Sequence, residues 1–300
     1  MPYRLLTLLF AACALFSCGG EWTRGETSKV SCRFSEVPFS SAKSLSVSDD
    51  GETLYVLDRY GSVYAFARNG ARVCGFEALR TQENSDAKIP VSGAENIERV
   101  GSFLYYYDGI SLLRYDSPDW TCDVSLAGMA LTTSYAYVAS TSAGIRKLKL
   151  LSSGCSKTET SFAASRVMAL DARADEIAAV ETSGALSDAP ERFSLYDADG
   201  TLLTRTALSA DTANSLHFCS ATRLRLGASF AVLFDAKCGY LGVFNLSGGL
   251  EHRLKLSEIG IWNAVDVDIF ADDLYILTSS VAVPLYFLDL ASYAFSEETM

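Results

Sequence analysis

Cysteines and histidines are the residues of this 300-residue chain whose chemistry is most readily placed: it carries eight of the first and two of the second. Cys32, Cys74, Cys122, Cys155, Cys219 and Cys238 stand singly, with no CxxC pair and no Cys/His cluster. A tetrahedral zinc site or a dithiol redox centre is therefore not expected. An even set suits up to three disulfides, with 15 possible connectivities. Cys219 and Cys238 read as lying in neighbouring strands of one structural unit and form the first expected pair. Cys32–Cys74 and Cys122–Cys155 are the next, provided that their Cα atoms come within about 7 Å. His217, in SLHFC, reads as part of an inner strand, and His252, in LEHRLKL, as part of a solvated outer one. No G-x-S-x-G and no G-x-x-x-x-G-K-[ST] occurs, so the serine-hydrolase and nucleotide-binding signatures are missing, and a His-dependent triad would have to use His217 or His252. The run Phe103, Tyr105, Tyr106, Tyr107 offers stacking surface, and its first expected use is packing between strand layers.

The remaining two cysteines lie at the amino terminus, in MPYRLLTLLFAACALFSCGG. Arg4 precedes an apolar run, Leu5 to Phe16, that is too short for a membrane-spanning helix, which needs roughly 20 residues. It has the length of the core of an export signal, about 7–15 residues. Leu15-Phe16-Ser17-Cys18 resembles the lipobox of bacterial lipoproteins. That resemblance implies cleavage before Cys18, acylation of Cys18 and loss of Cys13 with the 1–17 leader. Gly19 after the Cys, instead of Asp, implies an outer-membrane destination. Residues 18–29 then read as a lipidated, flexible tether, and 30–300 as one domain.

The net charge is −11, and loss of Arg4 with the leader makes the rest one unit more negative. Nucleic-acid binding, which needs clustered Lys and Arg, is not expected.

The elements that would position these residues are short strands. Runs rich in Val, Ile, Leu, Tyr and Phe alternate with Gly, Asp, Ser and Asn, and no 3.6-residue periodicity appears. A hairpin grammar starts again at Leu54, Phe103, Ala136, Ile177, Phe230 and Leu274, on average about 44 residues apart. That period is that of four-stranded propeller blades. Further strands precede the hairpins (SLSVS, RVMALDA, SLHFCSA, AVDVDIF) and follow them (RVCGFEAL, TCDVSLA, CSKTETSF, LLTRTAL, LEHRLKL, YAFSEET). The expectation is an all-β chain, a β-propeller of six four-stranded blades, closed by an N-terminal strand within Ser31–Phe39. Seven blades, a β-sandwich pair and a β-helix are the alternatives. Ser48-Asp49-Asp50-Gly51-Glu52-Thr53-Leu54-Tyr55-Val56 resembles the SPDGKTLYV-type motif of YVTN-like propeller repeats, in which an Asp-Gly turn feeds the second strand of a blade.

Two functional readings follow. The first is a lipid-anchored cell-envelope scaffold, monomeric and without a cofactor, that presents loops to a protein or glycan partner. The second rests on similarity to six-bladed lactonase-like propellers, which hold one Ca²⁺ on inner-strand carboxylates and amides. That resemblance implies a Ca-dependent hydrolase with Glu95, Asn96, Asn214, Asn263 and Asp266 as ligands at the channel mouth, with Asp268 beside them. Hard oxygen donors suit that ion.

Overall fold

A computed structural model describes residues 29–32, 41–68, 76–78, 88–123, 128–140, 144–156, 160–162, 165–183, 189–208, 218–280 and 285–291. All regular structure among them is β. β1 (Lys29–Cys32) stands apart in sequence from the first hairpin group, which comprises β2 (Ala42–Val47), β3 (Thr53–Asp58), β4 (Ser62–Arg68) and β5 (Phe76–Ala78). β6 (Lys88–Pro90) also pairs with β4. The second group is β7 (Asn96–Val100), β8 (Phe103–Tyr107), β9 (Ser111–Arg114) and β10 (Ser117–Asp123). The third is β11 (Gly128–Leu131), β12 (Tyr135–Ser140) and β13 (Gly144–Leu151), with the two-residue β14 (Gly154–Cys155) and β15 (Thr160–Phe162). Next come β16 (Arg166–Arg173), β17 (Glu176–Thr182), β18 (Arg192–Asp197) and β19 (Leu202–Ala207). The fifth group is β20 (Arg223–Leu226), β21 (Phe230–Asp235), β22 (Tyr240–Asn245) and β23 (Leu250–Lys255). The last is β24 (Ala264–Phe270), β25 (Asp273–Thr278) and β26 (Leu285–Asp289).

Within each group the strands pair antiparallel as a meander, except that β6 returns to β4 and that β14 and β15 both pair with β13. The last group is completed from the other end of the described chain. β1 lies antiparallel on β26, from Lys29 opposite Leu288 to Cys32 opposite Leu285. The N-terminal closure expected from sequence is thus present, placed at Lys29–Cys32; residues 33–39 of the expected span, like YAFSEET, lie outside the described residues. β1 thereby covers the edge that β26 would otherwise present.

Each strand's apolar face packs on the next group rather than within its own sheet. Leu45, Val56 and Phe66 meet Tyr275, Leu277 and Phe287 between the first and last groups. Phe193 and Phe244, from the fourth and fifth groups, stack with ring centroids 4.3 Å apart. Tyr105 sits edge-on to Trp120 at 5.3 Å, in the cluster between the second and third groups. Tyr106 faces the opposite way, towards the first group. The tyrosine run therefore serves packing, with alternate residues covering the two faces of one strand. Sheets buried on both faces explain why the strands read as nearly continuous apolar runs.

Two disulfides add covalent staples. Cys122 and Cys155, with Cα atoms 5.3 Å apart, join β10 to β14 and so the second group to the third. Beside them Thr121 pairs in parallel with Gly154. A Cβ on Gly154 would lie 2.7 Å from the Thr121 carbonyl oxygen, and its φ is +146°, so this close approach requires glycine. Cys219 pairs with Cys238 at a Cα separation of 5.8 Å. Cys219, however, precedes β20 and Cys238 lies in the turn before β22, so neither is in a strand as the sequence suggested. Asp235 organises this loop, accepting hydrogen bonds from the amides of Cys219 (2.6 Å), Lys237 (3.0 Å) and Cys238 (3.1 Å). Cys74 lies outside the described residues, and with it the Cys32–Cys74 pairing.

Candidate functional site

The first strand of each group lies innermost: β2 neighbours β24 and β7, and β16 neighbours β11 and β20. Four of these strands, β2, β7, β20 and β24, depart from the apolar pattern of the rest. In them every second residue is polar (Ser44 and Ser46, Asn96 and Glu98, Arg223 and Arg225, Asp266 and Asp268), and β16 adds Asp171. Alternation at period two sends each such set to one face, here towards the axis. The side chains form two layers.

In the first layer Arg223 grips Asp266 with two nitrogens, Nε to Oδ1 and an Nη to Oδ2, both at 2.8 Å. The same guanidinium donates to Ser44 Oγ at 3.1 Å and to Asn96 Oδ1. Asp266 also accepts from the Leu45 amide at 2.9 Å. One guanidinium meets one carboxylate. Although burial pushes the Asp266 carboxyl upward, the charge and hydrogen bonding of Arg223, helped by Arg225, hold it below the ordinary carboxylate range.

The second layer lies two residues further along the same strands. Arg225, whose side chain is 3 % exposed, has its Nε 2.8 Å from Asp268 Oδ1. That contact is an ion pair and not an aligned hydrogen bond. An Nη lies 2.9 Å from Glu98 Oε2, and the other 3.5 Å from Asp171 Oδ1. The carboxylates also take amides from neighbouring strands: Val47 donates to Asp268 and Leu226 to Asp171, both at 2.6 Å. Ser46 Oγ accepts from the Arg99 amide at 2.8 Å. Here one guanidinium faces three carboxylates. Burial pushes Asp268 up to about 7, against the pull of Arg225 and with the charge of Glu98 adding. Burial likewise pushes Asp171 up to about 6. Arg225 is held well above its ordinary value, because the acids around it outweigh its burial.

A cavity of about 480 Å³ opens on this second layer. Its wall is formed by the ends of the innermost strands and the turns after them, including Asp49, Thr132, Arg173, Gly227 and Phe270. These turns are tied across groups. Asp49 accepts from the Gly101 amide at 2.8 Å, Arg173 donates to the Gly227 carbonyl, and Asp272 accepts from Ser229 at 2.8 Å.

The calcium ligands expected from sequence are not gathered into a cage. Asn96 and Asp266 do meet, but on Arg223, which supplies the cation itself. Glu95 is exposed and pairs with Lys43 Nζ at 2.6 Å. Asn263 is exposed, with φ of +56°, in a conformation that Asn tolerates in turns. Asp268 belongs to Arg225, and Asn214 lies outside the described residues. Among the described residues the one group of three His, Cys, Asp or Glu ligand atoms close enough to hold a metal is Cys219, Asp235 and Cys238, whose two cysteines form a disulfide. The described residues do not fit the ion. His217 lies outside the described residues. His252 is half-buried and not solvated as expected, and burial lowers its imidazole. The sequence reading missed Arg223 and Arg225, because it assigned the inner strand of the fifth group to SLHFCSA; the strand is RLRL, which begins eight residues later.

No protein-family model and no curated protein matches the chain. Solved structures do match. Hydrazine synthase of Kuenenia stuttgartiensis is 10 % identical, with 86 % of this chain and 97 % of that one covered and a TM-score of 0.51. BamB of Moraxella catarrhalis is 13 % identical over 82 % of each chain, with a TM-score of 0.45. Hsv2 of Kluyveromyces lactis is 10 % identical, covering 79 % of this chain and 70 % of that one at 0.44. All three are β-propeller proteins. Four-stranded antiparallel meanders around an axis, together with the first of these likenesses, define the chain as a β-propeller protein.

Proposed function

We propose that the chain is a lipid-anchored, six-bladed propeller of the bacterial cell envelope that acts as a binding scaffold for a protein or glycan partner. The observation that carries this reading is the axial network. Among the described residues, the ionisable side chains of the inner strands contact one another around Arg223 and Arg225, tying strands of five groups together, so the axis serves the ring and recognition falls to the turns. Two disulfides fit an oxidising compartment, and the Leu15–Cys18 segment fits an acylated terminus. Strand alternation puts the β3–β4 and β8–β9 turns and the β23–β24 connection at one end of the ring. Tyr60 (71 % exposed), Ile110 (76 %) and Trp262 (64 %) project there from those segments, a mixed aromatic and polar surface suited to docking. The hydrolase alternative would require Asp266 to leave Arg223.

Two experiments test the reading. Metabolic labelling with an alkyne fatty acid should tag the native protein and leave Cys18→Ser untagged and released from membranes; equal labelling of both contradicts the anchor. A photo-crosslinking residue at Tyr60 or Trp262, activated in native membranes, should capture the same partner from both positions. Recovery of nothing reproducible contradicts the scaffold.

A further inference from the structure

The Arg225 layer carries more acid than its guanidinium can balance. Three carboxylates on three different strands, Glu98 of β7, Asp171 of β16 and Asp268 of β24, converge on one cation from β20. Among the described residues no other cation restores the balance. Arg223 is taken up by Asp266, Arg173 by Glu176 and the Gly227 carbonyl, and Arg99 donates to the Ser102 carbonyl. Asp49, on the β2–β3 turn, adds one more acid to the cavity wall, while β11 and its turn supply Leu131, Thr132 and Thr133, which carry no charge. Burying uncompensated charge costs several kcal/mol per ion, so a group in this layer is held neutral more readily than it would be in water. Asp171 and Asp268 compete for that proton: burial pushes Asp268 the further, but Asp171, 3.5 Å from Arg225 where Asp268 is at 2.8 Å, gives up the weaker ion pair on becoming neutral.

We propose that this layer is a proton-operated clasp: Asp171 takes up a proton as the surroundings acidify, which draws the ends of β7, β16, β20 and β24 together at the floor of the cavity, and its ionisation loosens them. The geometry provides the means. Asp171 Oδ2 accepts the Leu226 amide at 2.6 Å, and the carbonyl oxygen of a neutral carboxyl can accept it too, so the proton removes the cost of burying the charge and the repulsion of Glu98 without breaking that tie. The sign follows from the upward displacement of Asp171, from 3.8 to about 6. A carboxyl raised in the folded state contributes stability that is full below its unfolded value and is lost as pH rises through the folded one. The clasp is tight at pH 4–5 and slack at pH 7–8.

The test compares urea unfolding midpoints of the oxidised full-length protein and its Asp171→Asn variant between pH 5 and pH 7.5, with Glu52→Gln, an exposed site, as control. The wild type and the control should lose stability relative to Asp171→Asn as pH rises, and the variant should have the higher midpoint at pH 7.5. Parallel profiles, or a variant less stable at every pH, overturn the proposal. Should Asp171→Asn fail to fold, carboxyl ¹³C shifts of the wild type decide. A midpoint near 6 for Asp171 supports the clasp, and one at or below 4.5 refutes it.

Discussion

The two axial layers are built by the same strands, two residues apart, and their electrostatics are opposite. Around Arg223 a single carboxylate, a hydroxyl and a side-chain amide oxygen accept from the guanidinium, the Leu45 amide donates to that carboxylate, and Asp266 is held as an anion. Around Arg225 the cation is deeper and its acids more numerous, and Asp171 and Asp268 are pushed towards neutrality. The difference teaches that burial alone does not set the charge state of a carboxylate at a propeller axis. The ratio of acids to guanidinium does. A balanced layer works as a fixed tie; an acid-rich one responds to pH.

Breaking the acid-rich layer should cost most. Arg225→Met leaves three buried carboxylates without their cation and should destabilise the fold by about 3–5 kcal/mol in urea unfolding at pH 7.5, with a smaller loss at pH 5, where protons replace the cation. Arg223→Met strips a single carboxylate, which keeps the Leu45 amide and Ser44, and should cost about 2–3 kcal/mol with little change between those pH values. Asp171→Asn sharpens the contrast in the other direction: on the order of 2 kcal/mol of added stability at pH 7.5, fading towards pH 5. Ser46→Ala removes one neutral acceptor, for the Arg99 amide, and should cost about 1 kcal/mol at either pH.

Much of the architecture was legible in the residues. Leu54–Gly70 announced β3 and β4, and Ser48–Val56 announced the turn that feeds β3, where Gly51 has φ of +72°. Those signals are local, since strand hydrophobicity and turn chemistry are written in adjacent residues. The N-terminal closure was also legible, because a strand-like segment ahead of the first hairpin had no other partner. The axial layers were not, since no local rule says that Arg225 of one strand will face Glu98 and Asp171 of two others. A signal did exist, in the alternation of RLRL, VDVD and NIER, but an inner strand with charged alternate positions looks like a solvated outer strand until its neighbours are known. The same ambiguity made Asn96 and Asp266 resemble ligands for a metal when their partner was a guanidinium supplied from a distant part of the chain.

The claim that the axis is a structural hub is tested most directly by native-state hydrogen exchange of the oxidised protein. The amides of Leu45, Val47, Arg99 and Leu226 donate to axial side chains of a neighbouring strand. They should be among the slowest to exchange, opening only with global unfolding, while the exposed outer strand β19 exchanges by local opening. Exchange of those four amides as fast as that of β19 would contradict the account.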